Sequence, residues 1–268
     1  MTTTIALIGV GNMGGAVLAG LVASGHDPKS IYVGTRREEH AVELREAFGV
    51  VPVANDEAVR RADVVILGVK PYDIVSLVTS VQDAFHDGQV VISLAAGITT
   101  ATIEAAVPDG VEVVRVMPNT PATIGEGMTI VSPGASASDD SIVLTEVLMA
   151  STGKVVRLPE KNLDAATAVS GSGPAYVFYV AEALIEAGVH LGLTRAVATE
   201  LTTQTLVGAS LLLRDTGEHP AVLRENVTSP GGTTAAAIRQ FEEHGVRAAF
   251  LAATRANVAR SQEIAQDK

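Results

Sequence analysis

Up to residue 157 the chain repeats one pattern. Short apolar runs rich in Val and Ile, at residues 5–10, 31–33, 51–53, 64–69, 90–95, 113–117 and 128–132, are separated by stretches with helical spacing such as 15–24, 39–48 and 139–151. Runs of that length predict strands, and the periodicity between them predicts helices. Such alternation builds a parallel sheet covered by helices on both faces, a doubly wound α/β layer of the Rossmann type. The pattern changes between residues 157 and 163. Beyond it the strand signal stops, and helical runs follow one another at 164–170, 174–191, 194–215, 219–226, 234–243 and 246–265. The reading is therefore a Rossmann-type domain over 1–160 and an all-helical domain over 161–268. Residues 197–213 are apolar on more than one helical face, which predicts burial against a second subunit and hence a homodimer.

Composition narrows the function classes. A formal charge of -11 disfavours nucleic acid and anionic membrane surfaces as partners, and 3% aromatic content offers no stacking platform for single strands. Without cysteine there are no disulfides, thiol nucleophiles or thiolate metal sites, and the six histidines show no ligand spacing, so no metal is expected. The first residues, MTTTIALIGVGNMGG, lack a basic leader and read as a first strand, consistent with a cytoplasmic protein. The uncharged run 165–181 contains Gly171, Gly173 and Pro174 and reads as a buried helix pair of a soluble protein. Gly153-Lys154 lacks the hydroxyl residue and upstream glycine of a P-loop, and Ser172 lacks the glycine that a nucleophile elbow needs two residues before it.

Two stretches carry chemistry. The first is Gly9-Val10-Gly11-Asn12-Met13-Gly14, between the first strand and an Ala- and Leu-rich helix. The first glycine allows a tight turn, the second lets backbone N–H groups approach a pyrophosphate, and the third lets helix and strand pack closely. In this strand-turn-helix context the motif points to a dinucleotide; the bland reading is a glycine turn with no ligand. At the second strand's tip, Thr35 is followed by Arg36 and Arg37, with no acid for ribose hydroxyls. Thr35 with Glu38 fits a capping box, but two arginines opposing the helix dipole call for a 2′-phosphate, which favours NADPH over NADH. Further cofactor contacts are expected at the other strand ends: Asn55, Val69-Lys70-Pro71, and Ala96-Gly97 after Ala95. Lys70 reads equally as a ribose contact or a solvated strand-end lysine.

The second stretch is Asn226-Val227-Thr228-Ser229-Pro230-Gly231-Gly232-Thr233-Thr234, which opens onto a helix. Exposed N–H groups with nearby hydroxyls suit a carboxylate, while an ordinary inter-helix turn capped by Thr233 or Thr234 fits as well.

Taken with VKP at 69–71, MPNTPA at 117–122 and SGSGPAY at 170–176, the GVGNMGG start and TSPGGTT at 228–234 make the chain resemble the pyrroline-5-carboxylate reductases over nearly its whole length. The resemblance implies reduction of 1-pyrroline-5-carboxylate to L-proline with NADPH, NADH being the alternative donor, by a homodimer that assembles further. It implies that Asn226, Ser229, Gly232, Thr233 and Thr234 hold the substrate carboxylate, with the Thr234 hydroxyl near the ring nitrogen as the catalytic group. It also implies that Glu160 contacts substrate and that Asn119 and Pro121 border the nicotinamide. SGSGPAY reads as structural, letting helices cross closely. The rival enzyme is an NADP-dependent 3-hydroxyacid dehydrogenase or a broader imine reductase; in the dehydrogenases the catalytic lysine belongs on the first helix of the helical half, and 164–170 has none, although Lys161 precedes it. A regulatory dimer that senses NADPH is the rival outside catalysis, disfavoured by the SPGGTT block.

Overall fold

The computed structural model describes residues 3–35 and 37–266. Its elements in chain order are β1 Ile5–Ile8, α1 Asn12–Ala23, β2 Ile31–Gly34, α2 Glu38–Phe48, β3 Val51–Pro52, α3 Asn55–Arg61, β4 Val64–Leu67, α4 Ile74–Ser80, β5 Val90–Ser93, α5 Thr100–Glu104, β6 Glu112–Met117, β7 Gly127–Pro133, α6 Asp139–Met149, β8 Gly153–Arg157, α7 Leu163–Ala166, α8 Gly173–His190, α9 Arg195–Thr216, α10 Pro220–Asn226, α11 Thr233–Glu243 and α12 Val246–Gln266. Two compact units result, one of residues 1–172 with 258–268, the other Gly173–Asn257.

In the first unit the strands form one sheet in the order β3-β2-β1-β4-β5-β6-β7-β8. All four residues of β1, β4 and β5 are buried, as continuous apolar runs should be when helices cover both faces. Alternate residues of each strand enter opposite cores. Ile5, Leu7, Ile66 and Ile92 pack with Leu18 and Leu21 of α1 and Met149 of α6, while Ala6, Ile8, Val65 and Val91 pack with Val59 of α3, Ile74 of α4 and Ile103 of α5. Each fully buried Leu or Ile here contributes roughly 1.5–3 kcal/mol.

The sheet departs from all-parallel at one place: β7 runs antiparallel to β6, and β8 then runs parallel to β7. The link over residues 118–126 is too short for the crossover of about a dozen residues that parallel neighbours need. Strand β8, which the apolar pattern missed, interrupts its run with Lys154 and Arg157 because it is an edge. Arg157 donates two hydrogen bonds to the Glu146 carboxylate of α6, at 2.8 and 3.0 Å, and this pairing holds Glu146 below the usual carboxylate range.

The predicted helix at 164–170 is a short α turn followed by a π-helical turn over Thr167–Gly171. In the second unit α8 and α9 approach closely at Gly188, where a Cβ would lie 3.0 Å from that of Ala198. Within the single chain the run 165–181 is half-buried to exposed, with Ala168 its buried residue. No residue of α8 is buried in the single chain, and Phe178 and Tyr179 are 67% and 74% exposed. Among the described residues one helix, α9, is long and apolar enough to cross a membrane by length and composition, and 11% of its apolar window is buried.

Candidate active site

The strand order reverses at β1, between β2 and β4, which is where an open α/β sheet leaves a crevice. There the glycine turn is built by backbone alone. Gly9 takes φ +88°, a region L side chains avoid, and its N–H donates to the Gly34 carbonyl at 3.2 Å. A Cβ on Gly14 would lie 2.7 Å from the Gly9 carbonyl oxygen, so α1 packs as closely as backbone permits. Around Gly11 nothing lies within 4 Å of a hypothetical Cβ. The turn thus presents bare backbone and the N-terminus of α1 to open space, a cradle fit for an anion.

That space is a cavity of about 1010 Å³ at the carboxyl ends of the strands. Of the residues expected to meet a cofactor, Gly9, Val10, Gly11, Asn12, Met13, Thr35, Arg37, Asn55, Val69, Lys70, Pro71 and Ala96 line it. Gly14, Gly97 and Asn119 are not in its lining, and Arg36 lies outside the described residues.

The capping box does not form. Helix α2 begins at Glu38 after an extended Arg37, too late for Thr35 to cap it, and the Thr35 hydroxyl instead accepts the Arg37 N–H at 3.3 Å. Glu38 and Glu39 answer the helix dipole, and Arg37, the N-cap residue, accepts the Ala41 N–H with its carbonyl while its exposed side chain makes no cap bond and lines the cavity.

In the second unit, Asn226 ends α10 and Ser229 is exposed beyond it. The Gly232 N–H donates to the Ser229 carbonyl at 2.9 Å, closing a turn in which Gly231 takes φ +68°. Gly232 is the N-cap of α11 and offers no side chain to the first-turn N–H groups of Thr233, Thr234 and Ala235. Thr233 is exposed and Thr234 half-buried. An uncapped helix end beside three hydroxyl residues can hold a carboxylate.

Comparisons with known proteins bear on both halves. Residues 160–264 match the family model described as pyrroline-5-carboxylate reductase dimerisation, and residues 4–97 match NADP oxidoreductase coenzyme F420-dependent. The pyrroline-5-carboxylate reductase of Corynebacterium melassecola is 44% identical over 98% of this chain and 98% of its own, and that of Arabidopsis thaliana is 38% identical over 98% and 95%. The chain belongs to the pyrroline-5-carboxylate reductase family. Among solved structures, the family's enzyme from Coxiella burnetii superposes with a TM-score of 0.94 at 38% identity, covering 98% of each chain. The Plasmodium falciparum pyrroline carboxylate reductase, solved with NADP bound, does so with 0.86 at 26% identity and the same coverage.

Two residues assigned through the pyrroline-5-carboxylate reductase resemblance have their polar atoms engaged elsewhere. Glu160 Oε1 accepts the Thr100 N–H at 2.9 Å and an Arg115 N–H at 3.1 Å, and its Oε2 accepts the Thr100 hydroxyl at 2.8 Å. It thereby neutralises a guanidinium only 7% exposed within the sheet and takes the first N–H of α5, whose N-cap is Thr99. Asn119 donates from Nδ2 to the Ser170 carbonyl at 3.0 Å and accepts the Met128 N–H at 2.8 Å, tying the β6–β7 link to the π-helical turn. Replacing Glu160 with alanine leaves Arg115 buried without a counter-charge, and a loss of about 3–5 kcal/mol in unfolding free energy is expected by denaturant titration. A loss below about 1 kcal/mol contradicts that pairing.

The cavity also includes residues the sequence did not single out, among them Gly68, Leu94, Ser76 and His40. Gly68 carries a signal in the sequence, a small residue at a strand end, and its N–H donates to the Ile8 carbonyl at 2.8 Å. His40 carried none.

Proposed function

We propose that this chain reduces 1-pyrroline-5-carboxylate to L-proline with NADPH as donor and NADH as a weaker alternative, the last step of proline biosynthesis. The observation that carries the reading is the glycine turn whose bare backbone opens onto a cavity sized for a dinucleotide, in a chain 44% identical end to end to a reductase of that name. A bound dinucleotide supplies a hydride to the carbon of the C=N bond. The pyrophosphate would be held by the N–H groups of residues 10–14 on the turn that Gly9 makes, the ribose ends by Thr35, Arg37, Asn55 and the Val69–Pro71 turn, and the nicotinamide end by Ala96 and Gly97.

In the helical half, the first-turn N–H groups of Thr233 and Thr234 and the hydroxyls of Ser229, Thr233 and Thr234, with the Asn226 amide, would hold the substrate carboxylate on the turn that Gly232 closes. The Thr234 hydroxyl, or a water behind it, would donate a hydrogen bond to the ring nitrogen, and the proton that nitrogen gains is drawn from solvent water. A cyclic imine is basic enough to take that proton without a strong acid, so orienting substrate is the main task of these residues. Glu160 serves as counter-ion of Arg115 in this reading, and Asn119 as a tie within its own unit.

We read residues 1–160 as the dinucleotide-binding domain and 161–268 as the substrate-binding and dimerisation domain of a cytoplasmic homodimer that associates further. The apolar side chains exposed in the single chain, including Phe178, Leu191, Leu201 and Phe250, support the dimer. Incubating the protein with NADPH and 1-pyrroline-5-carboxylate should yield L-proline, identified by chiral chromatography. Absence of proline at high enzyme concentration rejects the reading.

A further inference from the structure

The cavity wall formed by Leu94, Ala95 and Ala96 belongs to the connection between β5 and α5. Its middle is two alanines and Gly97, which takes φ +72°, so few side chains there can hold its course. Ile98 anchors it to the core, and the rest is set from its ends. At the near end the Leu94 N–H donates to the Leu67 carbonyl at 3.0 Å and the Ala95 N–H to the Ser93 hydroxyl at 3.3 Å. At the far end Thr99 caps α5, a helix of five residues that is too short to hold its place by itself. Thr100 fixes that end. Its N–H and its hydroxyl both donate to the Glu160 carboxylate, at 2.9 and 2.8 Å.

Glu160 is held in turn by Arg115 of β6, which lies in register with Ser93 of β5. Both ends of the connection are therefore tied to the same two neighbouring strands. Stability alone does not call for this ion pair, because an apolar pair of similar volume commonly serves a buried position as well or better. Arg115 Nε has no acceptor among the described residues, which adds to the cost. What an apolar pair cannot do is accept two donors of one residue at a fixed place.

We propose that Glu160, fixed by Arg115, is a positioning residue for hydride transfer: through Thr100 it sets the place of the 94–96 wall, and with it the distance and angle at which the nicotinamide presents its hydride. The proposal rests on the reading that the nicotinamide end lies against Ala96 and Gly97. Glu160 itself touches neither reactant. A displaced wall leaves the contacts at the glycine turn and at the second strand's tip intact, so the rate of transfer suffers more than the affinity for the dinucleotide.

The test is single-turnover oxidation of NADPH, with enzyme in excess over the dinucleotide and saturating 1-pyrroline-5-carboxylate, followed by stopped flow. A loss of folded protein leaves that rate constant unchanged, whereas a misplaced nicotinamide lowers it. Thr100→Val keeps the shape and the N–H but loses the hydroxyl; it should lower the rate constant about tenfold, the size of one hydrogen bond to a charged group, with the Kd for NADPH within about twofold by fluorescence titration. Thr100→Ser should restore the rate. Arg115→Met combined with Glu160→Leu removes both charges together, strands no guanidinium, and should slow transfer about 10- to 100-fold. A wild-type rate constant in Thr100→Val or in the double variant overturns the proposal, as does a Thr100→Ser value as low as that of valine, or a loss of NADPH affinity as large as the loss of rate. If the double variant does not fold, the two Thr100 variants decide. A wild type that oxidises NADPH with the imine, beside variants that keep its rate, sinks the positioning role alone; a wild type with no imine-dependent oxidation sinks the functional reading as well.

Discussion

Replacing Gly14 with alanine is expected to weaken NADPH binding about 100-fold, the size of losing one or two hydrogen bonds to a charged group at about 1.5–3 kcal/mol each. The added Cβ meets the Gly9 carbonyl oxygen at 2.7 Å, a backbone atom that cannot swing aside. Gly9 is itself confined: a Cβ there would lie 2.7 Å from the Val69 nitrogen, so the turn is walled in by the β4 end. The strain is relieved only by moving the N-terminus of α1 away from the turn, which separates the N–H groups meant to share one anion. Gly15 is the internal control. It is the next residue of the same helix, with open space around a Cβ, and alanine there should bind NADPH as wild type does while gaining helix propensity of about 0.5–1 kcal/mol. Isothermal titration of both variants decides the matter; equal affinities would remove the close helix–turn packing from the account of cofactor binding.

Replacing Thr234 with alanine should lower kcat about 100-fold, the lower end for losing a positioned proton or hydrogen-bond donor, and leave the Kd for NADPH within about twofold. Thr234 stands in the first turn of α11, in a compact unit separate from the glycine turn, and its loss removes a hydroxyl without disturbing the cap, which belongs to Gly232. Thr234→Ser should recover most of the rate because it restores the hydroxyl. A kcat unchanged in the alanine variant takes Thr234 out of the chemistry; equal losses in kcat and NADPH affinity would mean a structural defect.

What the sequence disclosed follows the range of the interactions concerned. Strands β1, β4 and β5 were legible because burial on both faces makes their runs apolar throughout, and the glycine turn was legible because its geometry is local. Strand β8 was hidden because an edge strand carries charge. The antiparallel turn of β7 depends on a link length that apolar periodicity does not register. Glu160 read as a lone surface acid because its partners, Thr100 and Arg115, lie 60 and 45 residues away. His40 read as an unremarked helix position because the Val10 carbonyl it meets is 30 residues back. The capping box at Thr35 failed for a local reason: two hydroxyl-to-backbone geometries compete there, and the extended Arg37 chose the one that delays the helix.

Imine-dependent oxidation of NADPH, followed by the loss of reduced-nicotinamide absorbance with 1-pyrroline-5-carboxylate, is the most direct test, run beside NADH and a panel of 3-hydroxy and 3-keto acids with the matching cofactor form. Rapid oxidation with the imine, faster with NADPH than with NADH, and no turnover of the other acids is the predicted result. Turnover of a 3-hydroxy acid in place of the imine, or dinucleotide binding with no turnover at all, would contradict it.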